Sequence, residues 1–187
     1  MSQAHARTQP SLLEAGEWAI DPDHTNVEFV ARHLLSRVRG RFTKFEGVIH
    51  VDHDPNGSRV EVSIDAASID THQPDRDAHL RSADFLDVDR FPVLRFRSTA
   101  LRPIDDAHFE LDGELTVRDV TRPVTLDAEF LGWSEDPWGG KRAGFSARTE
   151  IDRDEFGATW NVVLETGGLL VGKKVQIELE VEAVLES

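Results

Sequence analysis

Apolar and polar residues alternate along most of this chain, which is the pattern of β-strands that bury one face. In the clearest row, Phe109, Leu111, Gly113, Leu115 and Val117 occupy alternate positions. Comparable rows occur before and after it, and together they predict about eight or nine strands, each apolar on one face and polar on the other. The other rows lie at residues 17–20, 25–31, 39–51, 60–64, 94–98, 124–130, 143–151 and 175–183.

One long interval, residues 65–92, does not alternate. Within it, Pro74 suits the first turn of a helix, where its missing N–H costs nothing. Asp75 and Asp77 stand where the helix dipole favours negative charge, and Arg81 stands nearer the other end. The interval therefore predicts one short helix between strands. Because it carries too few apolar residues to be stable alone, we expect it to cap one end of the structure that the strands build.

These patterns predict an all-β fold, an eight-stranded antiparallel β-barrel of the lipocalin-like kind. A parallel sheet would need near-continuous apolar runs and crossover helices, and the sequence has neither. Antiparallel strands joined by short turns either close on themselves or pack sheet on sheet, and we favour closure. The barrel is predicted to form a single domain over residues 16–187, preceded by a flexible arm of residues 1–15.

Charge and composition limit the classes of binding partner and the cellular compartment that the sequence predicts. The formal net charge of -14 argues against nucleic acid and against an anionic bilayer surface, because both are negatively charged. No stretch of the sequence indicates a membrane span. Cysteine is absent, which removes disulfides and thiol chemistry. The opening MSQAHARTQPSLLEAGE lacks the apolar core of a signal peptide, so a cytoplasmic protein is predicted.

No motif in the sequence predicts a catalytic or metal-binding residue. The series Asp52-x-Asp54-x-Asn56-Gly57 resembles the opening of a calcium-binding loop, but its twelfth position is Ser63 where a glutamate is needed. A solvated hairpin turn is the better interpretation. There is no HExxH or GxSxG motif, and no cofactor is required. Arg153, between two aspartates, is interpreted as a structural ion pair in preference to an anion-binding group.

The predicted interior combines large phenylalanine rings with residues that have small side chains or none. Small residues such as Gly113, Ala128, Ala143 and Ala147 share the inward rows with phenylalanines. Such a combination produces either a tightly interlocked core or a groove between the rings, and periodicity alone leaves both open. Taken by itself, the sequence favours a filled core, because protein interiors are normally packed.

Five ordered blocks of the sequence resemble the YceI-like family. The most specific is SIDTHQPDRDAHLRSADFLDVDRFPVLRFRST, and the similarity extends over residues 18–184. Members of this family are lipocalin-like barrels that bind polyisoprenoid or other long-chain lipids. The remaining blocks are WAIDPDHTNVEFVARH, VRGRFTKFEGVIHVD, LDGELTVRDVTRPVTLDAEFLG and GFSARTEIDRDEFGATWN.

The resemblance implies a non-enzymatic protein that binds or carries a long-chain isoprenoid-type lipid in an elongated apolar tunnel. The bound molecule would be an isoprenoid quinone, a polyprenyl phosphate or a fatty amide. Each buried methylene contributes about 0.8 kcal/mol, so the tail supplies affinity and a few polar groups at the mouth select the head group. The expected tunnel residues are Phe29, Phe42, Phe45, Phe96, Phe109, Leu115, Phe130 and Phe145. The expected mouth residues are His24, His33, Arg76, His79 and Arg153.

Two other functions remain open from the sequence. One is an enzyme that acts on a bound prenyl or fatty chain, with His79 or His33 as general base. The other is a structural or stress-related protein whose core is filled. The resemblance also makes a homodimer reasonable, although no residue of the sequence requires one.

Overall fold

The computed structural model describes residues 13–187, so most of the predicted arm lies outside the described residues. Leu13 packs against a buried cluster that contains Trp18, Phe130, Ala143 and Ala183, called the Trp18 cluster below, and the Glu14 carboxylate pairs with Lys141. The described residues form one α-helix and eleven strands. These are β1 (Gly16–Ile20), β2 (Asn26–His33), β3 (Ser36–Phe42), β4 (Phe45–Val51), β5 (Arg59–Asp65), β6 (Ile69–Asp70), α1 (Pro74–Arg81), β7 (Val93–Pro103), β8 (His108–Val117), β9 (Val120–Glu135), β10 (Lys141–Asp152) and β11 (Val171–Leu185).

The strands occupy eight positions around a closed antiparallel barrel, which confirms the predicted fold class. β1 and β2 form two halves of one wall strand, because both pair with β11: Trp18 lies opposite Leu185, and Val27 lies opposite Leu179. β3 and β4 share the next position, and β5 and β6 share the one after that. From β7 to β11 each strand pairs with its successor, and the β1–β11 pairing closes the barrel.

The break between β3 and β4 allows two phenylalanines three positions apart to face inward. Phe42 ends β3 and packs in the core below α1, whereas Phe45 begins β4 on the same face as Ile49, which lines the interior. The backbone N–H groups of Thr43 and Lys44 leave the ladder and donate to the Ser68 hydroxyl at 3.2 and 3.1 Å. This irregularity shifts the inward parity by one residue, as the spacing of the two rings requires.

Helix α1 covers the end of the barrel at which β6 ends and β7 begins. The Gln73 side chain caps its N-terminus by accepting a hydrogen bond from the Arg76 N–H at 2.6 Å. Buried Asp77 accepts from the Thr71 N–H and hydroxyl at 2.8 and 2.5 Å. Arg81 donates to two backbone carbonyls of residues 67–69. The helix is thus held by polar contacts to the wall, as expected for a segment with few apolar residues.

Two buried clusters lie toward opposite ends of the barrel. One contains Trp18, Phe130, Ala143 and Ala183, where β1 begins and β11 ends. The other, below α1, contains Ala66, Leu94, Val117 and Phe156. Between them, many inward residues are only half-buried, because they face a hollow and not a packed core. Within residues 13–187 no helix has the length and apolar character needed to cross a membrane.

Candidate functional site

The barrel contains an apolar cavity of about 420 Å³, which lies in the size range of small-molecule sites, roughly 300–1,000 Å³. Its wall is built by Ile20 of β1 and by the inward rows of β4, β5 and β7 to β11. Among the described residues that line the cavity below the opening, Ser58 and Ser146 are polar and the others are apolar. The wall includes Val62, Phe96, Leu111, Leu126, Phe145 and Leu179.

Small residues create this hollow at some positions and not at others. A side chain at Gly113 would lie 2.5 Å from the Phe96 ring, so this ring already fills the space and locks two strands together. Ala128 and Ala147 instead lie opposite each other on β9 and β10, and both line the cavity. The two interpretations that the sequence left open are therefore both realised, interlock at Gly113 and a groove at the paired alanines.

The cavity opens between two connections at the end opposite α1. β5 and β7 are joined through α1 at one end of the barrel, so the start of β5 and the end of β7 lie at the other end. Within residues 13–187, every lining residue that is exposed to solvent belongs to these two connections or to the strand residues beside them. We call this set the rim: Asp52, His53, Pro55, Arg59, Pro103, Asp105, Asp106 and His108.

The rim carboxylates are held by hydrogen bonds from their own turns. Asp105 accepts from the Ala107 and His108 N–H groups at 2.9 and 2.8 Å and lies 2.9 Å from the His108 ring nitrogen Nδ1. These bonds, the Ala107 N–H first, lower the pKa of Asp105 to about 2, and Asp105 in turn raises the pKa of the His108 imidazole. Asp52 accepts from the Asp54 N–H at 2.9 Å.

The loop that resembles a calcium site is a short capped turn. Asp54 caps the 3-10 helix Pro55–Gly57 by accepting from the Asn56 N–H at 3.0 Å. Another acidic group, Asp21 with His24 and Glu182, has the spacing of metal ligands. However, Arg142 donates to Asp21 at 2.8 Å and to Glu182 at 2.6 Å, so this cation already balances the group, and we assign no metal to it.

Three of the eight expected tunnel residues line the cavity: Phe96, Phe109 and Phe145. The other five lie outside the cavity, and a ligand-binding role for them stays a prediction. Phe130 packs on Phe145 within the Trp18 cluster, with ring centroids 5.3 Å apart. The remaining four lie toward the α1 end, where Phe42 and Leu115 pack in the second cluster, Phe29 contacts Phe42, and Phe45 lies opposite Ile64.

None of the five expected mouth residues lies on the rim. His33 ends β2, and Arg76 and His79 lie on α1, all at the capped end, while His24 follows β1 on the outside and contacts Asp21. The His79 ring nitrogen Nε2 lies 2.8 Å from an Asp84 carboxylate oxygen. Because the helix closes the end that it covers, we move the proposed mouth to the rim.

Arg153 shows why the capped end is closed. Its buried guanidinium donates to the carbonyls of Ala158, Trp160, Gly172 and Val171, at 2.5 to 3.2 Å. Burial lowers the pKa of this guanidinium. Its donors therefore hold the chain between β10 and β11 over the barrel end. The sequence suggested an ion pair, and an Arg153 nitrogen does lie 4.0 Å from an Asp154 carboxylate oxygen, but the hydrogen bonds to the backbone were missed.

The matching family model, described as a YceI-like domain, covers residues 18–183. Protein YceI of Salmonella arizonae is 39% identical over 174 residues, which are 91% of this chain and 87% of that protein. The crystal structure of BcnA from Burkholderia cenocepacia has a TM-score of 0.75 and 21% identity, covering 87% of this chain and 98% of that one. A polyisoprenoid binding domain from Saccharophagus degradans has a TM-score of 0.67 and 13% identity, covering 92% and 100%. This chain therefore belongs to the YceI-like family.

Proposed function

We propose that the barrel binds the hydrocarbon chain of an isoprenoid-type lipid in its apolar cavity, and that it carries or shields this lipid without catalysing a reaction. The observation that carries this proposal is a cavity of about 420 Å³ whose polar groups are concentrated at one rim. The structural likeness to a polyisoprenoid binding domain supports the same class of ligand.

Burial of the chain is sufficient to drive binding. Ten methylenes at about 0.8 kcal/mol each supply roughly 8 kcal/mol. Association and ordering cost roughly 4 kcal/mol or more, so ten buried carbons give only weak net affinity. The proposal therefore favours a chain that is longer than ten carbons, as isoprenoid lipids have.

The positions of the two histidines of the enzyme hypothesis favour binding over catalysis. His33 and His79, the general bases of the enzyme hypothesis, lie toward the capped end and do not line the cavity. A general base must come within hydrogen-bond reach of the proton that it removes. A chain in the cavity would lie instead against Phe109, Leu126 and Leu179. The cytoplasmic location and the homodimer stay predictions from the sequence.

The test is extraction of the gently purified protein with organic solvent, followed by mass spectrometry of the extract. We expect a lipid with a long isoprenoid chain, close to one molecule per barrel. An extract without lipid, together with no saturable uptake of isoprenoid lipids by the same preparation, would overturn the proposal.

A further inference from the structure

The rim has an excess of negative charge at the place where the head group of a bound lipid would lie. Asp52, Asp105 and Asp106 contribute three carboxylates, and Arg59 is the one arginine or lysine among the rim residues of the described chain. All four side chains are exposed. A head group at the opening would therefore meet more carboxylate than guanidinium charge.

Backbone hydrogen bonds fix two of these carboxylates in place. Asp105 is bonded to two backbone N–H groups, which keep its pKa far below neutrality. Asp52 is bonded to the Asp54 N–H. The charge of a protonated His108 would lie against Asp105, with its ring nitrogen Nδ1 2.9 Å from the carboxylate. These side chains cannot turn away from an anion without breaking their turns.

The same bonds occupy the groups that would otherwise bind phosphate. Proteins hold phosphate with arginine clusters and with free backbone N–H groups in turns or at helix N-termini. In the two turns that carry the rim, the N–H groups of Asp54, Asn56, Ala107 and His108 already donate to aspartate side chains. A phosphate group, with a charge of about −1.5 to −2 at neutral pH, would find few donors and would be repelled.

We propose that the rim selects the ligand by the charge of its head group, so that the cavity accepts isoprenoid chains with an uncharged polar head, such as an alcohol, a quinone or an amide, and disfavours phosphates and diphosphates. This inference rests on the proposed function, because it concerns the lipid that the cavity takes up. Among the ligands that the family resemblance implies, the acidic rim favours the quinone and the amide over the polyprenyl phosphate.

The experiment compares geranylgeraniol with geranylgeranyl diphosphate, which share one chain and differ in the head. Each competes with a fluorescent apolar probe for the delipidated protein at low salt. The readout is the ratio of the two affinities in the wild type and in the triple variant Asp52→Asn, Asp105→Asn, Asp106→Asn. Asparagine can accept the same backbone hydrogen bonds, so the turns are kept.

We expect the wild type to prefer the alcohol, and the rim variant to reduce this preference by about tenfold, or about 1.4 kcal/mol, through tighter binding of the diphosphate. The matched control, Asp75→Asn, Asp89→Asn, Asp119→Asn, removes the same charge from exposed positions toward the capped end and should leave the ratio unchanged. An equal change in both variants, or no change in the rim variant, overturns the inference. If neither lipid displaces the probe, it is the proposed function that fails.

Discussion

Ala147 offers a substitution whose effect on stability has opposite signs for a hollow barrel and for a filled one. It lies on β10 opposite Ala128 and Leu179, and all three line the cavity. In Ala147→Phe the added ring would enter the cavity. Full burial of a phenylalanine is worth about 1.5–3 kcal/mol, and side-chain ordering reduces the gain, so we expect an increase of roughly 0.5–2 kcal/mol in the free energy of unfolding.

The matched control lies four residues away on the same strand and face. Ala143 has 1% of its surface exposed, packs in the Trp18 cluster and does not line the cavity. Ala143→Phe has no free volume to enter, and overpacking of this kind costs roughly 1–3 kcal/mol. Because the two variants add the same atoms, the difference between their free energies of unfolding shows which position faces free space.

Urea unfolding of delipidated protein measures the free energy of unfolding of both variants. Thermal unfolding provides a second measurement, because each kcal/mol shifts the Tm by roughly 2–4 °C for a chain of this size. Binding of geranylgeraniol, followed by displacement of a fluorescent probe, should weaken at least tenfold in Ala147→Phe. If Ala147→Phe is destabilised as much as Ala143→Phe, the space beside Ala147 is already filled and the reasoning fails.

Three further substitutions test the contacts that shape the barrel. Gly113→Ala should lower the free energy of unfolding by roughly 1–3 kcal/mol, since its Cβ would overlap a phenylalanine ring. Gly144→Ala, with 3.6 Å to its nearest neighbour, should cost much less in the same urea titration, and similar losses would refute the interlock. Arg142 holds the pKa of Asp21 at about 2, so it contributes stability that is present above pH 4 and lost as the pH falls toward 2. Unfolding of Arg142→Ala at both pH values should show a smaller acid-induced loss, by on the order of 1–2 kcal/mol, and an unchanged loss would contradict this. Arg153→Lys should cost roughly 1–3 kcal/mol and speed amide exchange at residues 158–172, because lysine cannot reach four carbonyls; unaltered exchange would argue against the closure.

Alternation along the strands was sufficient to predict the barrel wall, because burial of one face imposes a period of two. It was insufficient to predict the hollow, which depends on what lies across from each residue. Gly113 and Ala128 are both small and inward, yet a ring covers the first and none fills the space at the second. Register decides between these outcomes, and the residues of a single strand do not reveal it.

Four of the five expected mouth residues, His33, Arg76, His79 and Arg153, lie toward the end that α1 covers. Closure of that end depends on Arg153 and on carbonyls of a segment without periodicity, so no local pattern indicated it. The position of the rim could have been predicted from the sequence. In an up-and-down barrel, alternate connections lie at the same end, so the turns at residues 52–58 and 104–107 are expected together, opposite the helix.

Methyl NMR with an isoprenoid alcohol tests most directly whether the apolar cavity holds the hydrocarbon chain. We predict nuclear Overhauser contacts between the chain and the methyl groups of Ala128, Ala147 and Leu179, which line the cavity. The methyl groups of Ala66 and Val117, buried below α1, should show none. Saturating ligand that gives no contacts to the first set, or contacts only to exposed surface methyl groups, would contradict the account.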